Sequence, residues 1–268
     1  MNSDFSDEVN LIIRADDFGM SHACNAAVKK CFDSGILGCS SIQAPAPWAY
    51  EAALMARSNP SWCIGVHITL VGEWQGFRWR PVMPYDKVPS LVDENGFLFQ
   101  SPAEFLAAEP DPDELELEIT SQVELLALRW KIKIDYLDYH HLDLVAPSEN
   151  AALKASSRII KKLAGKYNIP ISGYFNEKKI QFFGIRADEK EKFLIKQLES
   201  LKPGLWLLVC HLLCPSIDSD ALVHEKKEYA PPDGTARQRT AEKDVLLGSS
   251  IRNIISEKNI KLLNYRQM

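Results

Sequence analysis

The segment Leu11-Ile12-Ile13-Arg14-Ala15-Asp16-Asp17-Phe18-Gly19 runs from branched apolar residues straight into two adjacent carboxylates and stops at a glycine. Apolar runs of this length belong to strands buried on both faces, as in parallel α/β sheets. Two like charges at the end of such a strand are costly unless something compensates them, and a metal ion is the commonest partner. Three further segments share this grammar. Residues 63–70 carry His67 inside an apolar run, residues 134–141 end in Asp138, His140 and His141, and residues 205–211 close on His211. In parallel sheets and barrels the carboxyl ends of the strands form the rim on which sites are built. If the strands run parallel, these side chains converge.

The remaining pattern alternates strands with helices, the rhythm of a parallel α/β fold. Helices are expected over 21–34 (Ser21 as cap, Gly35 as stop), 48–57, 114–131, 150–167, 188–201 and 235–258. Strands are expected at 37–43, 62–70, 134–140, 169–175, 205–211 and 260–265. With the first strand that makes a distorted, seven-stranded (β/α) barrel, read as a single domain over residues 1–268. In 150–167, Lys154, Arg158, Lys161 and Lys162 fall off the apolar stripe and read as a solvated face. Between 71 and 110 the rhythm breaks into a loop insertion with Gly72, Gly76, Gly96 and five prolines. A long insertion directly after a strand end usually serves function. Its aromatics, Trp74, Phe77, Trp79, Phe97 and Phe99, read either as a flap that stacks on sugar rings or as inward packing.

Composition is that of an ordinary globular chain: 268 residues, 46% hydrophobic, 25% charged. A net charge of -5 offers no basic field, so neither nucleic acid nor an anionic membrane surface is an expected partner. Residues 1–10 lack the basic and apolar regions of a secretory signal, and the longest apolar run, 205–214, is far short of a membrane span. A cytoplasmic location is expected. The six cysteines show no paired CxxC spacing and read as buried thiols, with Cys210 and Cys214 as weak alternative ligands beside His211. His22 and His224 sit in polar segments and read as solvated.

Two imidazoles and one carboxylate on a divalent ion leave positions open for water and a carbonyl oxygen, as in many hydrolytic sites. Asp17, His67 and His140 can supply that set. Consecutive strand residues point to opposite faces, so Asp16 has to reach the site through the strand-to-loop bend. There it can act as a base towards water, and His211 can protonate a leaving group. Asp138 shares a face with His140 and can orient a ligand. Taken singly, a DD pair is often a helix cap and a histidine in a strand is often a core residue; the set is what points to catalysis.

Residues 15–19 (Ala-Asp-Asp-Phe-Gly), 65–70 (Gly-Val-His-Ile-Thr-Leu) and 137–141 (Leu-Asp-Tyr-His-His) resemble, in order and separation, the three motifs of the YdjC-like carbohydrate deacetylase family. The likeness extends to residues 208–211 and to Arg239. It implies a deacetylase on a distorted (β/α) barrel that uses one divalent metal ion, magnesium or zinc, to remove acetyl from an N-acetylated amino sugar. By motif position Asp17, His67 and His140 match the metal ligands, Asp16 the base and His211 the acid. This chain departs from the family in having Leu142-Asp143 after His141 and Leu212 where proline is common, and both departures bear on the substrate subtype. Arg78 and Arg80, with Trp79 between them, are candidates to meet a phosphate or carboxylate on the sugar. Rival readings are another metal-dependent hydrolase, acting on a phosphoester or a different amide, and a sugar-binding protein without turnover. The sequence does not fix an oligomeric state, and the aromatic insertion is open to an alternative use as a homo-oligomer interface instead of a substrate surface.

Overall fold

The first apolar run forms β1, Val9–Phe18, buried at every residue after Val9. It is the hub of a seven-stranded parallel sheet in a computed structural model that describes residues 7–268. The expectation that residues 1–10 lack a signal falls partly on residues 1–6, outside the described residues. The other strands are β2 (Cys39–Ile42), β3 (Cys63–Ile68), β4 (Tyr136–Tyr139), β5 (Lys178–Ile180), β6 (Gly204–His211) and β7 (Lys261–Leu263). Their order is β4-β3-β2-β1-β6-β5, with β7 also on β1. One edge of β1 is covered by β6 from Val9 to Asp16. The other edge is divided, with β7 against Asn10–Ile12 and β2 against Arg14–Phe18.

The sheet curls as a barrel does, but β4 and β5 do not pair. The strand expected at 169–175 is reduced there to one bridge, Leu137 to Ile171. Leu137 N–H donates to the Pro170 carbonyl (3.0 Å) and Ser172 N–H to the Leu137 carbonyl (2.9 Å). Pro170 has no N–H to give a ladder, and Gly173 (φ +92°) and Asn176 (φ +54°) turn the chain out of extended geometry. The true β5 starts three residues beyond the expected segment.

Helices α1 (His22–Asp33), α2 (Ala49–Ser58), α3 (Pro102–Ala107), α4 (Pro112–Glu124), α5 (Ala151–Tyr167), α6 (Lys190–Ser200), α7 (Ile217–Asp220), α8 (Thr235–Leu247) and α9 (Ser249–Glu257) surround the sheet. Ser21 caps α1 by accepting from Cys24 N–H, and Asn150 caps α5 by accepting from Ala152 and Leu153. The basic residues of α5 are largely solvent-facing. Two expected helices are broken. The one over 235–258 divides at Gly248, which is extended (φ −66°, ψ 149°) and, as glycine, resists helix more than any residue but proline. The one over 114–131 ends its regular α geometry at Glu124 and continues as a π-turn over Leu125–Arg129.

The 71–110 insertion packs inward. Trp74, Trp79, Leu91, Leu98 and Phe105 are buried in the main core, and Phe97 lies beneath Arg78 and Arg80. Of its two expected arrangements, outward stacking surfaces and inward packing, the second describes its tryptophans. Among the described residues no helix is long and apolar enough to cross a membrane.

Candidate active site and metal centre

The last turn of β1 breaks the alternation that would have sent Asp16 and Asp17 to opposite faces. The register with β2 shifts between Ala15 and Phe18, and Asp17 adopts φ +63°. A left-handed aspartate is a strained conformation, held here by its surroundings. The bend expected to bring Asp16 in is thus made by Asp17 itself.

Asp16, His67, His140 and His211 line one cavity of about 220 Å³, together with Glu73, Tyr139, His141, Phe183, His224, Tyr229 and Arg239. Asp17 lies fully buried behind it. Its Oδ1 is 3.6 Å from His67 Nε2 and 3.4 Å from His140 Nδ1, with no hydrogen-bond partner of good geometry. Three donor atoms therefore face one another and leave a buried carboxylate oxygen unsatisfied, which is costly without a ligand. An N,N,O donor set in such a pocket fits a divalent cation. Two other triples are close enough to be considered: Glu73 with His140 and His141, and Asp16 with His67 and Asp138. In the last, both Asp16 oxygens are already taken by Arg14. Glu73 Oε2 is engaged by His141, while its Oε1, 3.6 Å from Arg239, has no hydrogen-bond partner, so the Glu73 triple is a second candidate group beside the first.

Behind the donors stands a buried polar shell. His67 Nδ1 meets Asp138 Oδ1 at 2.9 Å, and Asp138 Oδ2 accepts from Ser41 Oγ (2.9 Å) with Arg14 Nε at 3.1 Å. This is the carboxylate–histidine arrangement that orients ligating imidazoles. Burial alone would lower the pKa of His67, but the charges of Asp138, Asp16 and Asp17 outweigh it and raise it to about 9. Burial likewise works against ionising Asp17, yet the Arg239 guanidinium, 2.6 Å from Oδ2, holds its carboxyl well below the usual range. Arg14 grips Asp16 with two bonds of 2.6 and 2.9 Å and donates a third to Ser172 Oγ at 2.6 Å.

His211 pairs in register with Asp16 across β6 and β1. Its backbone N–H donates to Glu242 Oε2 (2.7 Å), and Glu242 is neutralised by the fully buried Lys190 at 2.8 Å. The His211 ring Nδ1 has no partner, and burial pushes its pKa down to about 4. Opposite, Glu73 meets His141 Nε2 at 3.1 Å, His224 Nδ1 at 3.7 Å, and His140 Nε2 at 3.8 Å. Burial opposes its ionisation, but its hydrogen bond with His141 and the neighbouring His140 bring its pKa to about 2.

The other expected residues fall as follows. Asp138 stands behind His67. Trp79 is buried with its ring 5.6 Å from that of His140 and backs a donor instead of facing the cavity. Arg78 does not line the cavity; it is bound to Asp93 at 2.6 Å and to the Leu98 carbonyl. Cys210 and Cys214 join none of the donor clusters. His22 is exposed as expected and pairs with Glu51, but His224, expected in solvent, is buried against Trp74. That burial follows from a bridge between two loops: Gln75 N–H donates to the Val223 carbonyl (2.8 Å) and Glu225 N–H to the Glu73 carbonyl (2.9 Å). Arg14, Glu73, Phe183 and Tyr229 join the site without having been expected from sequence. Only Arg14 carries a signal there, because a cation inside an apolar strand requires a buried anion.

This architecture has counterparts among known proteins. The chain is 29% identical over 267 residues to a carbohydrate deacetylase of Thermoanaerobacter pseudethanolicus, covering 95% of this chain and 97% of that one. It is 27% identical to a chitooligosaccharide deacetylase of Proteus mirabilis, covering 96% and 98%. The solved structure of the Enterococcus faecalis V583 protein EF3048 superposes with a TM-score of 0.76 at 24% identity, over 97% of this chain and 98% of that one, and so shares the fold. The model of the YdjC-like protein family matches residues 10–257, and the chain belongs to that family.

Proposed function

We propose that this cavity hydrolyses the acetamide of an N-acetylated amino sugar with the help of one divalent cation held by Asp17, His67 and His140. The observation that carries the reading is the unsatisfied, buried Asp17 Oδ1 facing two imidazole nitrogens, behind a cavity that a second carboxylate, Asp16, lines. The names of the relatives, carbohydrate and chitooligosaccharide deacetylase, support the sugar acetamide as the target. Two nitrogens and one oxygen suit zinc better than magnesium, which prefers an all-oxygen shell.

When bound, the cation supplies Lewis-acid polarisation of the acetyl carbonyl and activates the attacking water. Asp16, fixed by the Arg14 fork, accepts the proton of that water. Arg239 holds Asp17 ionised and in place. His211 rests neutral, takes up from solvent a proton that Asp16 returns to solvent afterwards, and hands it to the departing amine. Asp138 and Ser41 keep the His67 ring turned so that Nε2 faces the cavity.

Acetate release from N-acetylglucosamine mono- and disaccharides, measured with added divalent metal, tests this reading. Asp16→Asn is expected to keep stoichiometric metal and lose on the order of 10³-fold or more in kcat. His67→Ala and His140→Ala are expected to lose metal on purification. Full activity in Asp16→Asn, or full metal content in both histidine variants, refutes the assignment.

A further inference from the structure

The proposed chemistry uses none of the three Phe and Tyr rings on the cavity lining, Tyr139, Phe183 and Tyr229, and the last two lie outside the strands. Phe183 follows β5. Its neighbour Phe182 is buried, with Lys190 Nζ 4.2 Å from its ring centre. Phe183 instead is 51% exposed and stands edge-on to His211 with ring centres 6.1 Å apart. Gly184, at φ +82°, makes the turn that follows it. Tyr229 ends the 3₁₀ turn Lys227–Tyr229 and leans on His141, ring centres 5.7 Å apart. His141 itself follows β4. Phe183 thus comes from the segment after β5 and Tyr229 from the segment after β6, where it rests on the residue that follows β4.

One exposed aromatic is ordinary on any protein surface. Two on the lining of one small polar cavity offer apolar faces to a ligand whose edge is polar and whose face is not, and a pyranose ring has that character. The charges narrow the ligand further. Among the lining residues Arg239 is the one lysine or arginine, and its guanidinium is committed to Asp17 at 2.6 Å and Glu73 at 3.6 Å. Neither arginine of the insertion lines the cavity: Arg78 is paired with Asp93, and the exposed Arg80 lies over the rings of Phe97 and Tyr85. Asp16 and Glu73 add carboxylates to the lining. A phosphate or carboxylate on the sugar would meet no uncommitted lysine or arginine on the cavity lining to bind it.

We infer that the substrate is an uncharged N-acetylated amino sugar whose ring is recognised by Phe183 and Tyr229, and that sugars carrying an anionic group are discriminated against. This rests on the deacetylase reading and adds a specificity to it. The test uses the full chain loaded with zinc and compares acetate release from the N-acetylglucosamine disaccharide and from its 6-phosphate. The expected kcat/KM is about ten-fold or more higher for the uncharged sugar. Phe183→Ala and Tyr229→Ala are each expected to raise KM about five- to ten-fold with kcat nearly unchanged, and Tyr229→Phe, which keeps the ring, to stay close to the parent. Equal or faster turnover of the phosphorylated sugar overturns the inference while leaving the deacetylase intact, as does an unchanged KM in both alanine variants. No acetate from either sugar by the zinc-loaded protein overturns the deacetylase reading, and this inference with it.

Discussion

In its proposed role as a metal ligand, His67 would tie the protonation of the site to its occupancy. A ligating Nε2 must be free of its proton, yet the surrounding carboxylates raise the pKa of the metal-free imidazole to about 9. If His67 ligates a cation as proposed, binding at neutral pH should expel about one proton, and affinity should rise about ten-fold per pH unit up to that value. Calorimetric zinc titrations in buffers of different ionisation enthalpy read the proton directly; a pH-independent affinity contradicts the ligand role. Stability responds in the opposite sense. His67 has a folded pKa above its ordinary 6.5, so its contribution is full below 6.5 and is lost as pH climbs towards 9, in step with the raised His141. Metal-stripped protein should accordingly melt at lower temperature at pH 9 than at pH 6.5. Glu73 shows why part of the site is hidden in the sequence: it lies six residues beyond His67, in a proline-broken insertion. The loop bridge of Trp74 to His224 adds a third imidazole to the two, His140 and His141, that reach it from the end of β4.

The elements that carry the site repeat one design, a parallel strand whose final residues reach the rim while a helix behind it steadies the backbone. For β6 that support is the Lys190–Glu242 pair, which joins α6 to α8 and receives the His211 N–H. Lys190→Met leaves Glu242 buried without its counter-charge and should cost about 3–5 kcal/mol in denaturant unfolding. Adding Glu242→Leu should recover much of that loss, though not the bond to His211. If the single variant unfolds at the parent denaturant concentration, the pair does not support β6. The strands β1, β3, β4 and β6 are legible in the sequence because an apolar run that ends in acids or imidazoles suits a buried strand meeting a polar rim and little else. Residues 169–175 mislead because Ile169, Ile171 and Phe175 look like a strand, although Pro170, Gly173 and Asn176 forbid a continuous ladder. A helix over 235–258 is expected to pass through Gly248 because a single glycine costs only about 1 kcal/mol in a helix, too little to announce a break.

At the scale of the whole molecule the curled sheet is fastened at its open seam and its floor by side chains from its last residues. Tyr265, almost fully buried, donates to Ser172 Oγ at 2.7 Å, the atom that also receives Arg14, and packs 4.4 Å from Tyr136. Arg266 reaches Asp135 (2.7 Å) and the carbonyls of Ser61 and Trp62, at the entrances of β4 and β3. Deleting residues 264–268 leaves β7 whole but removes an aromatic worth about 3–5 kcal/mol, so Tm should fall on the order of 10 °C. An unchanged Tm would show that the seam holds without them. The hub strand has a different vulnerability. β1 is read by β6 along one side and by both β7 and β2 along the other, and its end carries Asp16 on the cavity lining and Asp17 buried behind it. Adding or removing one residue between positions 9 and 18 would turn alternate side chains inside out and misalign three neighbours at once. Tolerance of insertions should therefore be least in that decapeptide and greatest in exposed loop positions such as 94–95, a contrast that a library of single-codon insertions and deletions would display along the chain.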